Sequence, residues 1–463
     1  MKNILLTILS IFLGMQVSAK DTLGQWTGVL QLPGNVLHVV FNVSKNNQGQ
    51  FITTMDSPDQ GVNGIPVTNT TFVNNVVNFE ITGMSLKYIG TLDGQEIFGT
   101  FSQSGHEFSL NLDRKKVANV LLKRPQEPKP PFPYKMEEVK FTNTIDNVTL
   151  AGTLTIPEGK GKFPVVVLIS GSGAHNRDEE ILGHKPFLVI ADHLTKNGIA
   201  VLRYDDRGTA ESTGNFDEAN SEDFSKDVEA AIEYLKTRKD IQKSQIGLIG
   251  HSEGGLIAPL VAARNKDVSY LISLAGPGVT GAEILLSQQK MMLTASGLTE
   301  EEATQRIATT KELFRIISTS ESNHLDRDLN DYVEKLVALQ GSEAQDMSAR
   351  EYIEMQLRDI STPWMCYFIK HDPAIVLSKV KIPVLALNGA KDMQVLPKLN
   401  LPAIQKALAA GGNKRVTIKE YPNLNHLFQV STTGFPNEYF KIEQTISPEV
   451  LKDMTDWIKV QVK

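Results

Sequence analysis

Ser244–Arg264 reads SQIGLIGHSEGGLIAPLVAAR, and this stretch decides the fold. A short apolar run, Ile246 to Ile249, leads into Gly250-His251-Ser252-Glu253-Gly254-Gly255, and then into a run of Leu, Ile and Ala with helical character. A serine presented on a sharp strand-to-helix turn needs small residues two positions to either side, because the turn brings the flanking backbones together. Gly250 and Gly254 meet that demand. The pattern Gly-x-Ser-x-Gly is weak evidence by itself. Its seat between a buried strand and a small-residue helix gives it weight.

Working outward from this turn, continuous apolar runs alternate with helical segments such as Asp223 to Thr237. The runs are FPVVVLIS, GIAVLRY, SQIGLIG, VSYLISLAG, KIPVLALNG and VTIKEYP. Runs of this kind are parallel strands buried on both faces, with crossover helices between them. A hairpin, EEVKFTNT then VTLAGTLTIP, precedes the series. Residues 136–463 therefore read as an α/β domain. Roughly a hundred residues separate VSYLISLAG from KIPVLALNG, far more than one crossover helix needs. That insertion, at about 280–375, reads as helices over Gly281 to Ser296, Thr299 to Ser318 and Arg350 to Arg358. It is either a cap over one end of the sheet or a structural extension without a gating role.

Upstream, Lys123–Lys135 contains five prolines, the composition of a semi-rigid linker over 123–135. Before it, residues 20–122 alternate in short segments such as LHVVFNV, VVNFEIT and EIFGTFS, broken by Gly, Asn, Asp and Ser. That spacing predicts a small all-β domain, a barrel or a sandwich. Lys2, the apolar run Ile4 to Leu13 and Val17-Ser18-Ala19 have the form of a signal peptide over 1–19, with cleavage after Ala19. The expected location is periplasmic or extracellular. The lone cysteine, Cys366, cannot form an intramolecular disulfide, and its apolar neighbours Trp364 and Met365 predict a buried thiol.

A nucleophilic serine needs a base, and the base needs an orienting acid. On a strand-turn-helix of this kind the chain order is serine, acid, histidine. His426, in Tyr421-Pro422-Asn423-Leu424-Asn425-His426, is the one histidine beyond the last acid position. Asp392 follows the strand KIPVLALNG and supplies the acid, with Asp372 as the fallback. Backbone N–H groups of Glu253, at the start of the helix, and of Ser172 or Gly173, in the loop after the first long strand, are the expected oxyanion donors.

Gly250-His251-Ser252-Glu253-Gly254-Gly255, Leu202-Arg203-Tyr204-Asp205-Asp206-Arg207-Gly208, and Gly171-Ser172-Gly173 with Arg177-Asp178 resemble secreted bacterial esterases of the α/β-hydrolase superfamily. The nearest groups are dienelactone-hydrolase-like and serine-aminopeptidase-like. The resemblance spans about Glu137 to Lys463. It implies an α/β-hydrolase fold with a helical cap, and cleavage of carboxylic esters through an acyl-enzyme on Ser252, with His426 as base and Asp392 as its orienting acid. Asp205, Asp206 and Arg207 are expected to form an internal ion-pair network. Glu253 reads either as tuning access to Ser252 or as a solvated surface residue. Relatives commonly place a second Gly where Ala210 stands, a departure in a turn that touches no catalytic position. Gly24-Gln25-Trp26-Thr27-Gly28 and Ser57-Pro58-Asp59-Gln60-Gly61 resemble β domains that precede such hydrolases.

Composition narrows the alternatives. Against 53 acidic residues stand 47 basic ones, and the formal charge of -6 carries no basic stripe for nucleic acid. No later segment has the apolar length of a membrane span. No metal-ligand spacing or dinucleotide fingerprint has a suitable context, so no metal and no cofactor is expected. The expected ligand is a small-molecule ester. Two rivals remain, a serine aminopeptidase or peptidase-like hydrolase and a non-catalytic binding protein on a hydrolase scaffold. Oligomeric state is not legible.

Overall fold

The computed structural model describes residues 22–463 except 33–34, 47, 61, 85, 104–105, 116–122, 322–323 and 340–359. The segment expected to be a signal peptide and the helix expected over Arg350 to Arg358 lie outside the described residues. The chain divides into two compact units, Met1–Leu121 and Leu122–Lys463.

The first unit is one curled antiparallel sheet, the barrel-like of the two expected forms. Its strands are β1 (Gly24–Leu32), β2 (Asn35–Lys45), β3 (Phe51–Ser57), β4 (Val62–Pro66), β5 (Asn69–Val73), β6 (Val76–Ile81), β7 (Leu86–Asp93), β8 (Glu96–Gln103) and β9 (His106–Asp113). They are ordered β4-β3-β2-β1-β9-β8-β7-β6-β5. Strict alternation of buried and exposed residues along β7 marks one face for the core. On that face Phe41 stacks on Phe79 at 4.4 Å between ring centres, and Trp26 and Tyr88 are fully buried. Tyr88 fits because paired glycines stand beside it: a Cβ on Gly90 would lie 2.7 Å from its hydroxyl, and one on Gly99 would lie 2.6 Å from it.

The second unit follows the chain through β10 (Tyr134–Asn143), β11 (Val148–Pro157), β12 (Phe163–Ile169), α1 (Pro186–Lys196), β13 (Ala200–Tyr204), α2 (Ser221–Thr237), β14 (Ile241–His251), α3 (Gly254–Arg264) and β15 (Val268–Leu274). After the insertion come α9 (Pro373–Leu377), β16 (Val384–Gly389), α10 (Pro397–Ala410), β17 (Val416–Tyr421) and α11 (Pro448–Gln461). The eight strands are ordered β10-β11-β13-β12-β14-β15-β16-β17. The β10–β11 hairpin and its edge with β13 are antiparallel, and every later pair is parallel.

The period of two along β12 divides its side chains between two cores. Val165 and Val167 meet Val228, Ile232 and Ile257 from α2 and α3, while Val166 and Leu168 meet Ile190, Leu194 and Met454 from α1 and α11. Each such side chain contributes roughly 1.5–3 kcal/mol relative to exposure. Together they hold the strand ends, on which the site stands, as a rigid row.

The insertion forms α4 (Gly281–Ala295), α5 (Glu300–Arg306), α6 (Ala308–Thr319), α7 (Leu325–Leu339) and α8 (Pro363–Lys370). It has its own small core of Phe314, Ile317, Leu329 and Ile369. Capping boxes Thr280/Glu283 and Thr299/Glu302 start α4 and α5. The helix expected from Thr299 to Ser318 is divided at Ile307, which closes α5 and opens α6 with near-helical angles (φ −79°, ψ −5°).

The proline-rich stretch is not a free linker where it is described. Arg124 donates to the carbonyls of Gly183 (3.0 Å), Leu182 (3.2 Å), Phe440 (3.0 Å) and Ile442 (2.9 Å). Gln126 donates to Ile446 O and accepts from Thr445 N, and β10 already opens at Tyr134. Fixed φ at the prolines removes chain freedom, and these side chains spend the gain on anchoring. Arg124→Ala orphans four carbonyls and is expected to lower the stability of this unit by about 2 kcal/mol, read as a drop in the urea midpoint at unchanged m-value.

Candidate active site

β14 delivers the chain to Ser252, whose φ is +50°, the left-handed region that ordinary residues avoid. Strain of this kind persists where the surroundings over-determine it. Ser252 N–H donates to Leu274 O on the neighbouring strand (2.8 Å), and its carbonyl accepts from Gly255 N–H (2.8 Å). A Cβ on Gly250 would collide with the Gly254 carbonyl, and one on Gly254 with the Ile169 carbonyl. A Cβ on Gly255 would come within 2.6 Å of Gly276 Cα. Strand, turn and helix thus approach to a distance that only glycine permits.

Asp392 and His426 are brought together from separate loops. Asp392 Oδ1 accepts from the N–H groups of Gln394 and Val395, each at 2.8 Å, and Oδ2 lies 2.8 Å from His426 Nδ1. Both side chains are buried. Asn425 steadies the histidine loop, its Oδ1 accepting from Leu427 and Gln429 N–H. With Nδ1 engaged by the carboxylate, Nε2 is the nitrogen left to exchange a proton. His426 also touches the turn: its carbonyl is 3.1 Å from His251 Nε2, and the two rings are 4.8 Å apart. The Ser252 hydroxyl makes no hydrogen bond among the described residues. Asp372, the fallback acid, instead caps α9 through Ala374 N–H (2.9 Å).

The third loop arrives from β12. A Cβ on Gly171 would lie 3.1 Å from Ser252 Cβ, so this loop begins against the serine. Ser172 follows, its carbonyl 3.1 Å from His175 Nε2, and Gly173 turns with φ +103°. The N–H groups of Ser172, Gly173 and Glu253 donate to no backbone carbonyl among the described residues. Beside the acid loop opens a cavity of about 480 Å³ lined by Ser287, Met291 and Thr294 of α4 and by Met393, Leu396 and Phe435.

A sequence profile of the family described as serine aminopeptidase, S33, matches residues 165–430, more than half of the chain. The chain belongs to the serine aminopeptidase S33 family. It is 28% identical over 355 residues to esterase EstD of Thermotoga maritima, covering 75% of each chain. Over 139 residues it is 29% identical to a putative carboxymethylenebutenolidase of Synechocystis, covering 29% of this chain and 56% of that one. Among solved structures, the Pyrococcus furiosus esterase Pf2001 aligns over 71% of this chain and 93% of its own, at 15% identity and a TM-score of 0.42. The second unit is an α/β-hydrolase domain, and the protein is a hydrolase related to esterases.

The structure corrects the expected setting of several side chains that the sequence singled out. Glu253 is not a solvated surface residue: it is buried, with Oε1 accepting from Ser221 Oγ (2.6 Å) and from the Trp364 indole of α8 (2.8 Å). Burial raises its carboxyl to about 7, against the partial relief of those two donors. Asp206 departs from the expected ion-pair network. Arg177 pairs with Asp205 and Arg207 with Asp227, whereas the Asp206 carboxyl accepts from Ser170 Oγ (2.7 Å) and His175 N–H (2.9 Å) and forms no ion pair among the described residues. Burial pushes Asp206 up to about 8. Cys366 is half-buried rather than buried, and burial still raises its thiol.

Glu253 makes a pH test possible. Its folded value of about 7 lies above the ordinary 4.5, so between those values the native state holds a proton that the unfolded chain has lost. Stability falls as pH rises through that window. Glu253→Gln keeps both donors satisfied and removes the titration. Between pH 4.5 and 7.5 the variant is expected to gain on the wild type by up to about 3 kcal/mol, measured by urea unfolding of the two proteins side by side. A constant difference across the range contradicts a buried, proton-bearing Glu253.

Proposed function

We propose that the protein is an exported serine hydrolase that cleaves carboxylic esters through Ser252, His426 and Asp392. The observation that carries the reading is the buried Asp392–His426 pair, with His426 held against the residue that precedes a strained Ser252. Ser252 Oγ attacks the acyl carbon while His426 Nε2 takes its proton. The carbonyl electrons move to oxygen, which the N–H groups of Glu253 and of Ser172 or Gly173 receive. Collapse expels the alkoxide, protonated by His426, and leaves the acyl group on Ser252. Water, deprotonated by His426, then releases the acid and restores the serine. Asp392 fixes the tautomer and steadies the imidazolium.

The relationship to an esterase over three quarters of the chain supports an ester rather than an amide. The cavity beside the acid loop offers apolar space for a modest acyl or alcohol group. The family description keeps a second reading in view, an aminopeptidase. That chemistry wants an acid to hold a free amine, and Glu253, the carboxyl nearest in sequence to the nucleophile, is buried and already held by Ser221 and Trp364. Export rests on the Lys2, Ile4–Leu13 and Val17-Ser18-Ala19 pattern.

Ser252→Ala is expected to lower turnover of an activated acyl ester by at least about 10⁴-fold. His426→Ala should abolish labelling by a fluorophosphonate while circular dichroism stays unchanged, and rapid labelling of that variant excludes His426 as the base. A panel of acyl esters and aminoacyl amides, each assayed against Ser252→Ala, separates the readings: turnover of amides in preference to esters overturns the esterase.

A further inference from the structure

Glu179 lies on no motif, yet it stands where the three loops of the site meet. It is buried, and its φ of +50° is strained for a non-glycine residue. One oxygen, Oε1, accepts twice: from Gly171 N–H at 2.8 Å and from His251 Nδ1–H at 2.9 Å. Gly171 begins the loop of the proposed oxyanion donors, and His251 immediately precedes Ser252. The other ring nitrogen of His251 faces the carbonyl of His426 at 3.1 Å. Both nitrogens of His251 therefore face oxygen acceptors, and satisfying both requires a proton on each. This geometry fits an imidazolium paired with a carboxylate. Burial opposes charge on either group, but their mutual attraction prevails, lowering the Glu179 carboxyl and raising the His251 imidazole. His175 and Asp206 are the other titratable groups facing Glu179. Its second oxygen, Oε2, has no hydrogen-bond partner among the described residues. Glu179 and His251 line a small cavity with apolar neighbours such as Phe187, Leu274 and Phe428.

We propose that Glu179 and His251 form a buried positioning pair that sets the mutual register of nucleophile, base and oxyanion donors. This role rests on the ester-hydrolase reading above. A single carboxylate oxygen links the β12 loop to the nucleophile turn, and the imidazolium links that turn to the backbone of the base. Neither side chain needs to touch substrate. In an acyl-transfer site, displacement of a reacting group by about 1 Å costs on the order of 100-fold in rate, so the pair acts on kcat and leaves substrate affinity alone.

The test uses the full chain and a small activated ester, with Glu179→Gln, Glu179→Leu, Glu179→Leu/His251→Leu and Ser252→Ala. Glutamine can accept both N–H bonds on its carbonyl oxygen; leucine fills the space and accepts none. Glu179→Leu is expected to lower kcat by about 100-fold with KM within about twofold of wild type. Glu179→Gln should restore most of that loss, and the double variant should be no slower than Glu179→Leu, as for groups that act as a unit. Circular dichroism establishes that each variant is folded. Should Glu179→Leu fail to fold, Glu179→Gln decides alone, with a kcat decrease of about 3- to 10-fold at constant KM expected for the lost charge. Two results overturn the pair: kcat within about twofold of wild type in the folded variants, or a rise in KM at constant kcat, which puts Glu179 on the substrate. An active Ser252→Ala instead overturns the ester-hydrolase reading, so the two failures are distinguishable.

Discussion

The close approach of three backbones around Ser252 is the constraint on which the rest of the second unit depends. The Gly250 and Gly254 positions leave no room for a Cβ, and the latter abuts the end of β12. Removing those side chains lets α3 start directly above the sheet, and that forces Ser252 into the left-handed region. Such a conformation costs on the order of 1–3 kcal/mol. What offsets it lies elsewhere, in the two apolar cores that clamp the sheet from both faces and in Leu274 of the neighbouring β15, whose carbonyl holds the Ser252 N–H. The strain is local, while the stabilisation is spread over the domain.

How much of this was legible in the sequence depended on whether a residue's role follows from its element. Apolar strands buried on both faces leave an unmistakable record, and so does a serine between glycines at a strand end. Asp392 and His426 could be singled out from chain order and position after their strands, and the structure joins them by a hydrogen bond. Glu179 and Trp364 left no such record. Glu179 meets His251 across 72 positions and Trp364 meets Glu253 across 111, and neither contact has a periodicity or a local spacing. The solvated alternative for Glu253 fails for the same reason: a charged residue at the start of a helix is usually solvated, but here Ser221 of α2 and Trp364 of α8 arrive from distant segments and hold it.

Besides Asp392, three carboxyl groups are buried around Ser252, and their neighbours give them different charge states. The His251 ring holds the Glu179 carboxyl low; among the described residues Asp206 and Glu253 are met by neutral donors, and burial raises both. An unpaired buried carboxylate is costly, whereas a protonated one behaves as an ordinary hydrogen-bonding group. Apart from the Asp392 carboxylate, which faces His426, the site therefore holds its negative charge chiefly on Glu179, beside the His251 ring that balances it, rather than spreading it over every acid in reach. In the proposed reaction, a developing oxyanion would meet less repulsion than the count of acidic residues suggests.

The bond from the Trp364 indole to Glu253 has an optical consequence. The chain carries three tryptophans. Trp26 is sealed in the sheet of the first unit and Trp457 packs on Tyr270 in the sheet core of the second. Of the three, Trp364 joins a helix of the insertion to the residue after Ser252, through a carboxyl that can gain or lose a proton. Its emission is thus sensitive to both the seating of that helix and the protonation of Glu253, giving the protein a native fluorophore at the point where the insertion and the Ser252 turn meet.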